Sequence, residues 1–158
     1  MPSSHMRVLV DTNVVLDLLL AREPFLEDAL GVFASGEAGA LELLLSTDAI
    51  NTVFHIVGKN QGAAAAREAV AKLLDMVRLV ALDERAVMRA MVLDFTDLED
   101  ALVAAVAERE GARLIVTRNG ADFTNSPVPA VAPSALLAYV AAQGAGGQAE
   151  APAEVAGA

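Results

Sequence analysis

Carboxylates and amides recur in this chain where apolar runs break off. Asp11, Thr12 and Asn13 interrupt "VLVDTNVVLDLLL" (8–20), and Ser46, Thr47 and Asp48 follow "LELLL" (41–45). Asp97 and Asp100 stand three apart in "DLEDALVAA" (97–105). Thr117, Arg118, Asn119 and then Asp122 follow "RLIV" (113–116). Three or four Asp residues gathered at one place repel each other unless a cation joins them. Hard oxygen ligands completed by water suit Mg2+ or Mn2+.

Each residue taken singly has a plainer use. Asp11 would cap a helix at a strand–helix junction, and Asp97 is a natural N-cap. Asn13 tolerates the left-handed turn conformation. Thr117 is a β-branched strand former, and Asp122 follows an Asn-Gly turn signal. Asp100 fits capping less well, because at i, i+3 it shares a helix face with Asp97, beside the apolar stripe. Glu99 is expected to point about 100° away from Asp100.

The elements that would position these residues follow from periodicity and caps. Strands are expected at 7–10, 42–45, 77–81, 113–117 and 128–131. Helices are expected at 13–20, from Pro24 to a break at Gly36 and Gly39, and from a cap at Ser46 or Thr47 through Val57. Further helices are expected at 62–76, from Asp83 to about Leu93, from Thr96 or Asp97 to about Glu110, and from Ser134 to about Ala142. Alternating strands and single-faced helices predict an α/β domain with a central, mostly parallel sheet. Ligands bind such sheets outside the carboxyl ends of the strands, where the polar clusters fall. Residues 1–6 read as a leader, 7–142 as the domain, and 143–158 as a disordered, low-complexity tail.

Bulk properties narrow the chemistry. The 158 residues suggest one domain, and no apolar run reaches the roughly 20 residues of a membrane span. A cytoplasmic protein is the expectation. No cysteine is present, which excludes disulfides and thiolate metal sites. His5 and His55 form no zinc pattern. Phosphate-loop, dinucleotide and nucleophile-elbow motifs are missing. A strand-end Asp nucleophile of the haloacid-dehalogenase type needs a second Asp two residues on, where this chain has Asn13. A net charge of −10 argues against a broad electrostatic grip on nucleic acid but permits a local metal-bridged site.

"VLVDTNVVLDLLL", "DLEDALVAAVAEREGARLIVTRNGADF" and "VPAVAPSALL" together resemble the PIN domain family, in order and spacing over nearly all of residues 6–139. The resemblance implies a three-layer α/β/α fold with a central, mostly parallel sheet. It also implies a Mg2+- or Mn2+-dependent endoribonuclease leaving 5′-phosphate and 3′-hydroxyl ends, as in the toxins of VapBC toxin–antitoxin pairs. Carried over, Asp11, Asp100 and Asp122 are the catalytic and metal-binding acids, with Asp97 a further metal ligand. Asn119 is the acid's alternative position if the match is anchored on "TRN". Asn13 and Thr117 take supporting or phosphate-contact roles. Most active members carry a Glu on the helix after the second strand, and Asn51 stands near that position here, with Asp48 one turn earlier. The implied partners are RNA, an antitoxin whose Arg or Lys covers the acids, and a second copy of the chain through Val14, Leu18, Phe25 and Phe33. Those four residues also read as ordinary core. The alternative is a PIN-like module that binds RNA or protein with little or no turnover.

Overall fold

The computed structural model describes residues 5–144. Most of the segment read as a disordered tail, from 145 onward, and the first four residues of the leader lie outside it. Five strands, β1 (Met6–Val10), β2 (Leu41–Ser46), β3 (Arg78–Val80), β4 (Leu114–Val116) and β5 (Ala130–Val131), form one sheet in the order β3-β2-β1-β4-β5. Every pairing is parallel. Met6 already pairs with Leu41 at the start of β1, so the strand takes in the last residue assigned to the leader.

Among the described residues seven helices cover the sheet: α1 (Thr12–Leu19), α2 (Leu26–Glu37), α3 (Thr47–Gln61), α4 (Ala63–Leu74), α5 (Glu84–Val92), α6 (Leu98–Arg109) and α7 (Pro133–Gly144). A parallel sheet buried on both sides needs apolar residues at every strand position. The strands divide these residues by alternation. Val8, Val10, Leu43, Leu45, Leu114 and Val116 meet one core with Val14, Val32, Val53 and Leu73. Leu9, Leu44, Ile115 and Ala130 meet the other with Ala101, Ala104 and Ala105 of α6. The small residues of α6 bring that helix close to the sheet.

Two glycines behave differently from each other. Gly36 does not break α2 but lies within it, where a side chain would meet Leu43 at 2.8 Å. Gly39 ends the turn beyond the helix with φ +83, a conformation glycine adopts without strain. Within the helix, Gly31 lets α2 approach Leu137 of α7; an added Cβ would lie 2.8 Å from its tip. Val14 and Phe33 are buried in the core, Leu18 packs against it, and Phe25 is 38% exposed. Two of the four residues considered for dimerisation are therefore core. Among the described residues no helix is long and apolar enough to cross a membrane.

Candidate functional site

The chain runs outward from β1 through β2 to β3, then returns to add β4 and β5 on the other side. The reversal falls between β1 and β4, the switch point where open α/β sheets bind ligands. Asp11 ends β1 and Thr117 ends β4. The Asp11 backbone N–H donates to the Val116 carbonyl at 3.0 Å, which ties the acid into the sheet.

A network fixes the Asp11 carboxylate. Thr117 Oγ1 donates to Oδ2 at 2.7 Å, Asn13 Nδ2 donates to the same oxygen at 3.3 Å, and the Thr12 backbone N–H donates to Oδ1 at 2.8 Å. Asp11 is also the N-cap of α1. The capping use and the clustering use therefore coexist in one residue. Thr117, fully buried, receives Asn13 Nδ2 at 3.3 Å and the Asn119 N–H at 3.1 Å on its hydroxyl.

Asp11, Thr12, Asn13, Asp48, Thr52, Asp97, Glu99, Asp100, Asn119 and Asp122 border one cavity of about 380 Å3. It gathers acids from β1, α3, α6 and the 3₁₀ turn Gly120–Phe123, which periodicity did not reveal. Asp97 caps α6, accepting the Asp100 N–H at 3.3 Å. Burial, followed by the charges of Asp11, Asp97, Asp122 and Glu99, pushes the Asp100 carboxyl up to about 7. Burial raises the Asp11 carboxyl too, opposed by the hydrogen bonds from Thr117 and Thr12.

Three placements differ from expectation. Asn51 is exposed and does not border the cavity; Asp48, Thr52 and Ile56 do, as an i, i+4, i+8 stripe of α3. Asp48, one turn earlier, is the α3 carboxylate on the cavity's border. Glu99 borders the cavity although it diverges from Asp100, because the N-terminal turn of α6 opens into the cleft. Arg22 went unrecognised. It follows Ala21, whose φ of +50 turns the chain after α1, and is the one cation among the described residues lining the cavity. No apolar spacing flags a residue positioned by a turn.

The donors are hard oxygens, and the raised Asp100 carboxyl marks a place where positive charge is favoured. Among the described residues no three acidic or histidine side chains converge closely enough to enclose an ion alone.

An all-parallel α/β/α domain with an acidic cleft at its sheet switch point is the class that fold and site define. The chain belongs to the PIN domain family, whose model matches residues 7–121. It is 26% identical over 123 residues to Ribonuclease VapC1 of Aquifex aeolicus (strain VF5), covering 75% of this chain and 85% of that one. Its fold is similar to that of DNA-bound VapBC from Salmonella typhimurium (TM-score 0.65, 14% identity, 81% of this chain and 98% of that one). It is also similar to VapC20 of Mycobacterium tuberculosis, a sarcin-ricin loop cleaving toxin (TM-score 0.56, 20% identity, 68% and 86%).

Proposed function

We propose that this protein is a Mg2+- or Mn2+-dependent endoribonuclease acting as the toxin of a type II toxin–antitoxin pair. The observation that carries the reading is the group of acids around Asp11 and Asp100, gathered where the sheet order reverses. Family membership and the likeness to a named ribonuclease support it.

Asp11, Asp100 and Asp122 would hold the ion, with Asp97 on the rim and Asp48 adding a carboxylate from α3. A bound divalent ion supplies positive charge against the phosphate and makes water more acidic. The chain's own part is orientation. Thr117 and Asn13 keep Asp11 in one rotamer, and Asn13, Asn119 and Arg22 present polar or cationic groups to an RNA phosphate. The Asp100 carboxyl gives up its proton near neutral pH, so ion binding and deprotonation are coupled. Asp48 in the cavity supports turnover over the binding-only alternative, because the charge that Asn51 lacks enters from the same helix. An antitoxin segment bearing Arg or Lys would match the same acidic cleft.

The test is cleavage of a mixed panel of single-stranded RNAs with Mn2+, by wild type and Asp11→Asn. Wild type should cut and the variant should fall to background. Equal cutting by both would identify a contaminant and sink the assignment.

A further inference from the structure

A second cavity of about 370 Å3 lies beside the acidic one, bordered by Phe25, Asp28, Arg118, Asn119, Pro133 and Ser134. Asn119 borders both, so the two are adjacent along the carboxyl edge of the sheet. The size falls within the roughly 300–1,000 Å3 typical of small-molecule sites.

Two of its lining residues meet each other. The Arg118 guanidinium lies 3.9 Å from the centre of the Phe25 ring. Arg118 Nε and Nη2 also donate to Asp17 at 2.6 and 3.2 Å, and Asp17 is 1% exposed. With two of its five N–H donors engaged by a buried carboxylate, the guanidinium is held in place and its charge is partly offset. It serves better as a fixed planar surface than as a phosphate hook. Phe25 remains 38% exposed. Asp28 and Ser134 supply polar groups at the border, from α2 and α7, whose spacing the Gly31–Leu137 approach sets. Single-stranded RNA is recognised in this manner, by bases stacked on aromatic rings and guanidinium planes and hydrogen-bonded at their edges. A protein segment would also find apolar surface here, but a stacked plane with an acceptor at its border fits a heterocycle bearing N–H donors better.

We propose that this cavity holds the base of a nucleotide flanking the scissile phosphodiester, stacked on the Phe25–Arg118 pair with an N–H edge toward Asp28. Arg22 lines the acidic cavity and lies 3.8 Å from Asp17, the partner of Arg118, so it would be the cation nearest a phosphate linking the two sites. The proposal rests on the ribonuclease reading and extends it to substrate choice.

Fluorescence anisotropy tests it, using Asp100→Asn protein, which leaves the RNA intact, and a short single-stranded RNA made abasic at each position in turn. One abasic position should weaken binding about tenfold, the usual scale of one base–aromatic stack. Adding Phe25→Ala should weaken the intact RNA by a similar factor and abolish the penalty at that position. Phe25→Trp should keep both affinity and penalty. A Phe25→Ala protein that retains the full penalty overturns the base site and leaves the cavity to a protein segment. So does an RNA with no sensitive position. Cleavage by wild type is read separately: loss of the subsite with cleavage intact condemns only the subsite, whereas a chain that neither binds nor cuts RNA condemns both.

Discussion

Asp11 and Asp17 lie six residues apart at the start of the chain, and the fold treats them in opposite ways. Asp17 is sealed in, and two Arg118 nitrogens with Arg22 nearby balance it. Asp11 receives only neutral donors, from Thr117, Asn13 and the Thr12 backbone, and faces further carboxylates across a cavity. A buried charge costs several kcal/mol unless it is paired. At Asp17 the protein supplies the counter-charge. At Asp11 no cation among the described residues is in hydrogen-bond contact, and Arg118 and Arg22 act only from further off. The first arrangement is architectural, and the second leaves a carboxylate facing a cavity, as the proposed site requires.

The contrast breaks most visibly at Arg118. Arg118→Ala leaves Asp17 buried without its main partner and should cost about 3–5 kcal/mol in urea unfolding. Replacing Asp17 with Asn in the same protein should recover part of that loss. A cost below about 1 kcal/mol would mean that Asp17 does not need its cation.

Thr117→Val probes the other aspartate. It removes the shortest hydrogen bond to Asp11 while keeping shape, so Mn2+-dependent cleavage should fall about 10- to 100-fold, the usual effect of losing a group that orients a metal ligand. Stability should fall as well, by about 1–3 kcal/mol, because the buried hydroxyl also receives Asn13 Nδ2 and the Asn119 N–H, which lose their acceptor. Unchanged cleavage with a lowered melting temperature would make Thr117 structural only.

The smallest effect concerns pH. An Asp carboxyl ordinarily titrates near 3.8, and folding raises Asp100 to about 7. Between those values the unfolded chain has released a proton that the folded chain keeps. The contribution to metal-free stability is therefore complete below about pH 4 and is lost as pH rises through 7. Because Asp100 is only half-buried, the change should be a few degrees of Tm. Asp100→Asn should flatten that part of the profile, and Mn2+ should reverse its sign by favouring the ionised form. A profile identical in wild type and Asp100→Asn would remove the electrostatic account of the cleft.

Much of this was legible in the residues. Strand–helix alternation yields the parallel sheet because periods of two and 3.6 are imposed by backbone geometry. Asp11, Asp100 and Asp122 stand out because each interrupts or abuts an apolar run. What escaped was set by tertiary placement. Asp48 lines the cavity and Asn51 does not only once the face that α3 turns to the cleft is known, and Glu99 joins the cavity because the end of α6 opens into it. The 3₁₀ turn carrying Asp122 is too short to leave a periodic trace. The Asp17–Arg118 pair joins residues 101 positions apart, and no local pattern records such a match.

The alanines of α6 have a further meaning. The distance between the acid ending β1 and the acid on α6 is gauged by the methyl groups of Ala101, Ala104 and Ala105 lying between helix and sheet. They act as shims. A thicker residue at Ala104 would lift the helix and part the carboxylates, at about 1–3 kcal/mol for the overpacking. The width of the cleft could thus be retuned from inside the core, with every residue that lines it left as it is.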